Sequence, residues 1–455
     1  MFTRAELDVV IKAYDIRGLV DEQITPDFTF VLGTAFARFL IEEREPASVV
    51  IGEDMRPSSD GLATAFTDGL NSQGVDAIRI GLASTDMLYY ASGALNLPGA
   101  MFTASHNPAA YNGIKLAKSG ARPIGAESGL LRIKSHMIQG IPMSIGPIGR
   151  TTHRELLNDY VDFLLGLFAS DEFTSGRRLK IVVDAGNGMA GFTAPAIMAR
   201  LNIELVPMYF ELDGNFPNHE ANPIDSQNLK DLVKRVKKVK ADIGLAFDGD
   251  ADRCFLVDEG GNLVNPSALT ALIAIRELKR KPGSTIIYNL ISSRAVPEII
   301  QEHGGVALRS RVGHSYIKTM MAESDAVFGG EHSGHFYFRD FWRADSGALA
   351  ALFAIAELSH SDLPLSELLA PLNRYFSSGE INTTVKNAQE RVEFIKAYYQ
   401  AECSIDELDG ITVTGPNWWF NLRTSNTEPL LRLNVEAKSQ KLMVKVRDEV
   451  LALIG

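Results

Sequence analysis

The sequence predicts an α/β protein, with three related α/β domains built on mixed sheets and a smaller C-terminal α+β domain. Three observations lead there. The chain has 455 residues, too many for one hydrophobic core when domains run to about 100–150 residues. Three segments repeat a β-branched run, a small-residue loop, an amphipathic helix and a second β-branched run, the signature of βαβ units in a mostly parallel sheet. The last stretch drops that pattern for consecutive strand-like runs between two helices.

The first repeat reads "ASVVIGED", "DGLATAFTDGLNSQG", "VDAIRIG"; the second "LKIVVDAGNG", "FTAPAIMARLN", "IELVPMYF"; the third "STIIYNLISS", "AVPEIIQEHGG", "VALRSRVG". Breaks at "GIPMSIGPIG", near Gly260 and around Pro371 give expected domains 1–150, 151–258, 259–370 and 371–455. In the last of these, "AQERVEFIKAYYQ" is a helix, "GITVTG", "NWWFNLR" and "PLLRLNVEA" are strands, and "QKLMVKVRDEVLALI" closes as a helix. The longest apolar run, Ala348 to Ala356, falls far short of the roughly 18 residues of a membrane span and reads as a helix buried on all sides. In "LKDLVKRVKKVKAD", Leu229, Leu232, Val233, Val236 and Val239 sit at helical spacing, so the lysines form a wet face rather than a binding site.

Composition narrows the function. The chain is 45% hydrophobic and 22% charged with a net charge of −11, ordinary for a globular protein and contrary to the basic surface that nucleic acids require. "MFTRAELDVV" lacks the apolar core of a signal peptide. Cys254 and Cys403 are far apart and in no CxxC pair, which suits a reducing compartment. A cytoplasmic location is therefore expected, with neither nucleic acid nor membrane as partner.

The sharpest chemistry lies in "ADIGLAFDGDADRCFLVDEGG". Asp248, Asp250 and Asp252 repel one another unless a cation sits among them, and an all-oxygen set suits Mg²⁺. The spacing resembles a calcium-binding loop, with Glu259 at its twelfth position, but Arg253 stands where that loop needs glycine and the flanks read as strands. Arg253 suits a phosphate oxygen beside the metal. "FTASHNPAAYNGIK" sets Ser105, His106 and Asn107 side by side ahead of Gly113 and Lys115; by itself it is either a nucleophile loop or an ordinary polar loop. "GGEHSGHFYF" offers Glu331 and Ser333 for sugar hydroxyls. Its His332 and His335 suggest zinc, but no third ligand at a telling spacing accompanies them. His314 in "RVGHSYIK" is a phosphate or sugar contact or a plain loop histidine. Arg423, Ser425, Asn426 and Thr427 in "LRTSNTEPLL" form a compact donor cluster able to cradle a phosphate.

Taken together, "TASHNP" with "YNGIK", "DGDADR", "GEHSGH" and "RTSNTEP" resemble the four signature loops of the α-D-phosphohexomutase superfamily, in its order and one per domain. "KAYDIRG", Lys12 to Gly18, is similar to its N-terminal phosphate-contacting stretch, so the resemblance spans essentially the whole chain. The phosphomannomutase/phosphoglucomutase branch is the nearest. The phosphoglucosamine branch typically has glycine where Asn426 stands, and eukaryotic-type phosphoglucomutases carry a different sugar loop. The resemblance implies four domains around a central cleft. It implies Ser105 as phosphate carrier, with Asp248, Asp250, Asp252 and the Ser105 phosphate holding Mg²⁺. Arg17, His106, Lys115 and Arg253 would complete the catalytic set. Tyr14, His314, Glu331, Ser333, His335, Arg423, Ser425, Asn426 and Thr427 would bind a phosphosugar. A hexose 1,6-bisphosphate would be intermediate and activator, and the protein a monomer or weak dimer. One departure stands out: relatives in this branch often have a lysine in the stretch aligned with Leu290 to Val296, where this chain has Arg294 and no lysine, so no general base is carried over. The rival readings are phosphoglucomutase or phosphoglucosamine mutase specificity, a metal-dependent phosphatase using the same serine, and a non-catalytic sugar-phosphate binding protein.

Overall fold

The computed structural model describes the chain except Met1, Ala13, Met143, Ile145 and residues 425–429, together with the side chains of His314 and Ser315. It divides into two compact units, Met1–Val264 with Ser333–Ser366, and Asn265–His332 with Glu367–Gly455.

In the first unit, a sheet runs in the order Ile16–Leu19, Tyr111–Lys118, Gly99–Phe102, Ser48–Glu53, Asp76–Leu82, Thr151–His153. Its centre is parallel and its Ile16 end antiparallel, the mixed sheet expected from the first repeat. The helices Pro26–Glu43 and Ser59–Ser72 pack on each other over a core that includes Phe36, Phe66 and Phe102. The second sheet runs Cys254–Asp258, Ile243–Phe247, Leu179–Asp184, Ile203–Met208. Its last three strands are parallel, and the first two form a hairpin in which Phe247 faces Cys254. The acidic triplet is the connection of that hairpin. It therefore stands at the carboxyl end of Ile243–Phe247, the end of a parallel sheet where ligands bind. The strands on both sides exclude the helix–loop–helix calcium reading, and Glu259 accepts instead from the Ser366 backbone N–H at 3.2 Å.

Two sequence readings of helices hold. Gly347–Ser359 is buried over nearly its whole length. In Lys230–Val239, Leu232 and Val236 are buried while Lys234 and Lys238, like most of the remaining polar residues, face outward or lie half-buried. Both cysteines are free. Among the described residues no helix is long and apolar enough to cross a membrane.

In the second unit, Thr285–Asn289 lies parallel to both Val306–Ser310 and Phe328–Gly330. A separate antiparallel sheet runs Phe376–Thr384, Leu430–Ala437, Trp418–Thr424, Ile411–Thr414, Ser404–Asp406. The helices Ala388–Tyr399 and Gln440–Ile454 contribute Ile395, Val446 and Val450 to the core on its face. This is the α+β module expected at the C-terminus. The strands Phe376–Thr384 and Ser404–Asp406 add to it; both are exposed and polar along much of their length, so neither alternates cleanly enough to read as a strand.

Candidate active site

The triplet turn and the Ser105 loop meet within the first unit. Ser105 follows the central strand Gly99–Phe102 and sits at φ +50°, a left-handed backbone conformation that is strained for serine. Its hydroxyl donates to Asp248 Oδ2 at 2.8 Å, lies 3.1 Å from His106 Nδ1, and accepts from Arg253 Nη2 at 3.5 Å. Approach this close needs Gly249, because a Cβ there would sit 2.3 Å from the Ser105 carbonyl oxygen.

Asp248, Asp250 and Asp252 are at most 1% exposed, and one ligand atom from each lies within 4.8 Å of the others. Fixed cations surround them. Arg253 Nε donates to Asp248 Oδ2 at 2.7 Å. Lys115 Nζ reaches both Asp250 Oδ2 and Asp252 Oδ2 at 2.6 Å. Thr85 Oγ1 donates to Asp250 Oδ2 at 2.5 Å, and the Thr85 N–H to the Asp250 carbonyl at 2.9 Å.

Charges follow from these neighbours. Burial pushes the Asp248 carboxyl up, to about 7, against the pull of Arg253. Burial also acts upward on Asp250, but the charge and hydrogen bond of Lys115 outweigh it and hold that carboxyl well below the usual range. Burial alone would favour a neutral Lys115 amine; Asp250 and Asp252 reverse this and raise it well above the ordinary lysine value. Burial, then the charges of Arg253 and Arg17, hold His106 well below the usual histidine value, leaving its imidazole neutral.

A divalent cation fits this donor set. Two adjacent cations face three carboxylates, and Asp250 Oδ1 is buried with no hydrogen-bond partner. Oxygen-only donors at this spacing match a hard ion.

The N-terminal stretch reaches the same loop, with Arg17 donating from Nη1 to Asn107 Oδ1 and from Nη2 to Asp15 Oδ2, both at 2.5 Å. Tyr14 is half-buried in the bend before it. Ser333 Oγ lies 3.0 Å from His335 Nδ1. In the second unit, buried Glu331 accepts from the Gly313 N–H at 3.2 Å. Arg423 pairs with Glu380 at 2.8 Å, and Glu380 also holds Arg432 at 3.1 Å. Ser425, Asn426 and Thr427 lie outside the described residues, as does the His314 side chain. The Arg294 N–H donates to the buried carboxylate of Glu436 at 3.0 Å.

Sequence reasoning missed Arg56, whose side chain is fully buried beneath the Ser105 loop. It donates to the carbonyls of Ser105, Asn107, Pro108 and Tyr111 at 2.6–3.0 Å and pairs with Asp54 at 3.2 Å. The available signal was an Asp–x–Arg pair at the end of an apolar strand, "VVIGEDMRP". Thr85 was missed as well, and nothing local marks it.

A hydroxyl held against a buried carboxylate triplet, on sheets whose carboxyl ends converge there, is the equipment of an enzyme. Family models describing the phosphoglucomutase/phosphomannomutase alpha/beta/alpha domains I, II and III match residues 8–139, 158–261 and 265–375, and the C-terminal domain model matches 380–453. The chain is 38% identical to a phosphomannomutase of Escherichia coli over 454 residues, covering 97% of this chain and 98% of that one. It is 37% identical to a phosphomannomutase of Methanocaldococcus jannaschii over 451 residues, covering 98% of each. The crystal structure of a phosphoglucomutase/phosphomannomutase family protein from Burkholderia thailandensis superposes with a TM-score of 0.90 at 31% identity, covering 100% of this chain and 97% of that one. The chain belongs to the phosphoglucomutase/phosphomannomutase family. It is a phosphohexomutase, an enzyme of the isomerase class.

Proposed function

We propose that this phosphohexomutase interconverts hexose 6-phosphate and hexose 1-phosphate, acting on mannose and glucose, with Ser105 as phosphate carrier. The observation that carries the reading is the Ser105 hydroxyl 2.8 Å from Asp248. C1 and C6 of a hexose are too far apart for one phosphate to pass directly between them. A carrier serine divides the task. The phosphate–oxygen bond at Ser105 breaks as one forms to the free sugar hydroxyl, giving a hexose 1,6-bisphosphate. That intermediate turns end over end and returns its other phosphate to Ser105, so added bisphosphate acts as an activator.

Such a transfer depends mainly on alignment and charge neutralisation. Asp248, Asp250 and Asp252 would hold Mg²⁺, whose contribution when bound is to neutralise the transferring phosphate. Arg253 directs its guanidinium at the reacting oxygen, Lys115 and Arg17 supply further positive charge, and His106 orients the serine. Tyr14, His314 and His335 support substrate. Glu331 and Ser333 hold sugar hydroxyls. Arg423, Ser425, Asn426 and Thr427 hold the phosphate that is not reacting; a hydrolase would need no such cradle, which disfavours the phosphatase reading. Four functional segments, 1–150, 151–258, 259–370 and 371–455, each bring one loop, in a cytoplasmic monomer or weak dimer.

Glucose and mannose differ only at C2. If Glu331 and Ser333 read the C3 and C4 hydroxyls, which the sugars share, both are substrates. Turnover of mannose 1-phosphate and glucose 1-phosphate tests this. A preference above about a thousandfold, roughly 4 kcal/mol, refutes dual use. Incubation with glucose 1,6-bisphosphate followed by intact mass analysis tests the carrier: one added phosphate is expected, absent in Ser105→Ala. No addition to the wild type supports a binding protein instead.

A further inference from the structure

Spacing alone offers His335 no completed metal site, but folding gives it two carboxylates from elsewhere. Arg253 and His335 form an antiparallel bridge, and the Cys254 N–H donates to the Gly334 carbonyl at 3.3 Å. The strand after the triplet is thereby fastened to the start of Phe336–Phe338. That strand forms a short hairpin with Ala344–Asp345, in which Tyr337 faces Asp345. Side chains alternate along a strand, so His335, Tyr337 and Asp345 share one face. The rings of His335 and Tyr337 stack at 6.2 Å, which fixes the imidazole's direction.

That face meets Asp252. His335 Nε2 lies 3.7 Å from Asp252 Oδ1 and 3.9 Å from Asp345 Oδ2, and one ligand atom of each residue lies within 4.8 Å of the others. These separations exceed hydrogen bonds. Ligand atoms about 2.0–2.2 Å from a zinc ion in an open tetrahedral arrangement stand roughly 3.3–3.6 Å apart, and the two His335 separations exceed that span by only a few tenths of an ångström. A second feature points the same way. Asp252 is 1% exposed, its Oδ2 is taken by Lys115 at 2.6 Å, and its Oδ1, the atom facing His335, has no hydrogen-bond partner. A cation supplies what that oxygen lacks. The imidazole nitrogen selects zinc-class ions over Mg²⁺, and His335, with 19% of its side chain exposed, gives them an entry path.

We propose that Asp252, His335 and Asp345 form a second divalent-cation site for zinc-class transition metals, joined to the triplet through Asp252, which belongs to both sets. Occupancy takes His335 away from substrate and inhibits turnover. The inhibition rests on the substrate role proposed for His335; the binding does not.

The test is titration of the full-length protein with Co²⁺ in excess Mg²⁺, read by visible absorption and by bound-metal stoichiometry after gel filtration. One Co²⁺ per chain is expected. Asp345→Asn and His335→Gln, checked for folding by circular dichroism, should each weaken it at least roughly tenfold, since even outer partners of metal ligands carry ten- to hundredfold effects. On the wild type alone, Cu²⁺ bound in excess Mg²⁺ should give a pulsed-EPR imidazole nitrogen signal. No retained Co²⁺, an oxygen-only Cu²⁺ signature, or full affinity in both variants with loss in Asp248→Asn overturns the proposal. The Ser105 mass experiment is independent of all three outcomes.

Discussion

Replacing Arg56 is the most informative perturbation of the Ser105 loop. Its guanidinium gives four bonds to main-chain carbonyls of that loop and pairs with Asp54, which is 2% exposed. Arg56→Ala leaves the Asp54 carboxylate buried without a cationic partner, held by the neutral donors Ser59 hydroxyl, at 2.6 Å, residue 56 backbone N–H, at 3.0 Å, and the Thr103 side chain. Removing one partner of a buried pair costs roughly 3–5 kcal/mol. Each stranded carbonyl adds to this unless water enters, so about 4 kcal/mol is a fair minimum. Melting should fall by on the order of 10 °C. The catalytic effect should exceed what lost stability alone explains. With no fork beneath it, Ser105 has little reason to keep its left-handed backbone, and a shift near 1 Å costs about a hundredfold in rate. Arg56→Lys separates the two effects. It restores the charge beside Asp54 but not the planar fork that serves four acceptors, so melting should recover in part while kcat stays low and KM changes little. The assay is a coupled mutase reaction at a temperature where each variant is fully folded. An Arg56→Ala protein that melts like the wild type and keeps kcat within about twofold would refute the argument.

Other expectations are open to measurement. Ser105→Ala should lose turnover by roughly 10⁴-fold or more with a nearly unchanged melting temperature; substantial residual mutase activity counts against a carrier serine. Gly249→Ala, whose new Cβ would stand 2.3 Å from the Ser105 carbonyl, should cost about 1–3 kcal/mol by overpacking and lower kcat; wild-type rates would mean the loop is held elsewhere. Chelation should abolish turnover, with Mg²⁺ restoring it better than Ca²⁺, whose larger and looser shell suits this compact set less well; full activity in chelator would sink the metal reading. His219 gives a stability prediction away from the triplet. Burial acts downward on it, but the hydrogen bond to Asp184, 3.1 Å away, wins and raises it above its ordinary 6.5. Because the folded state binds this proton more tightly, the stabilisation is complete below pH 6.5 and fades as pH rises through the raised value. The melting advantage of wild type over His219→Gln should therefore be larger at pH 5.5 than at 8.5; a constant gap argues against the shift.

Much of the site was legible because its chemistry is local. Asp248, Asp250 and Asp252 alternate within one hairpin connection, so their mutual repulsion is written in the sequence, and Ser105 stands in a loop of conspicuous polar residues. The supports were not legible because they act across long separations. Thr85 meets Asp250 from 165 residues away and Arg56 meets the Ser105 carbonyl from 49. Arg423 was readable as a cation, but its pairing with Glu380, 43 residues upstream, was not. A phosphate at the proposed Arg423 site would therefore meet a guanidinium already part-neutralised.

The sequence by itself determined the class of the fold, the α+β end, the buried helix at Gly347–Ser359 and the wet lysine face, because periodicity of apolar residues decides which side of an element leaves water. It also determined which residue types stand ready for phosphate chemistry. Only the tertiary structure decided which of the three carboxylates the Ser105 hydroxyl faces, that Arg56 braces the loop from below, and that His335 and Asp345 come to lie beside Asp252. Those outcomes depend on sheet register and hairpin pairing, and register is settled by burying many residues at once rather than by any short stretch of chain.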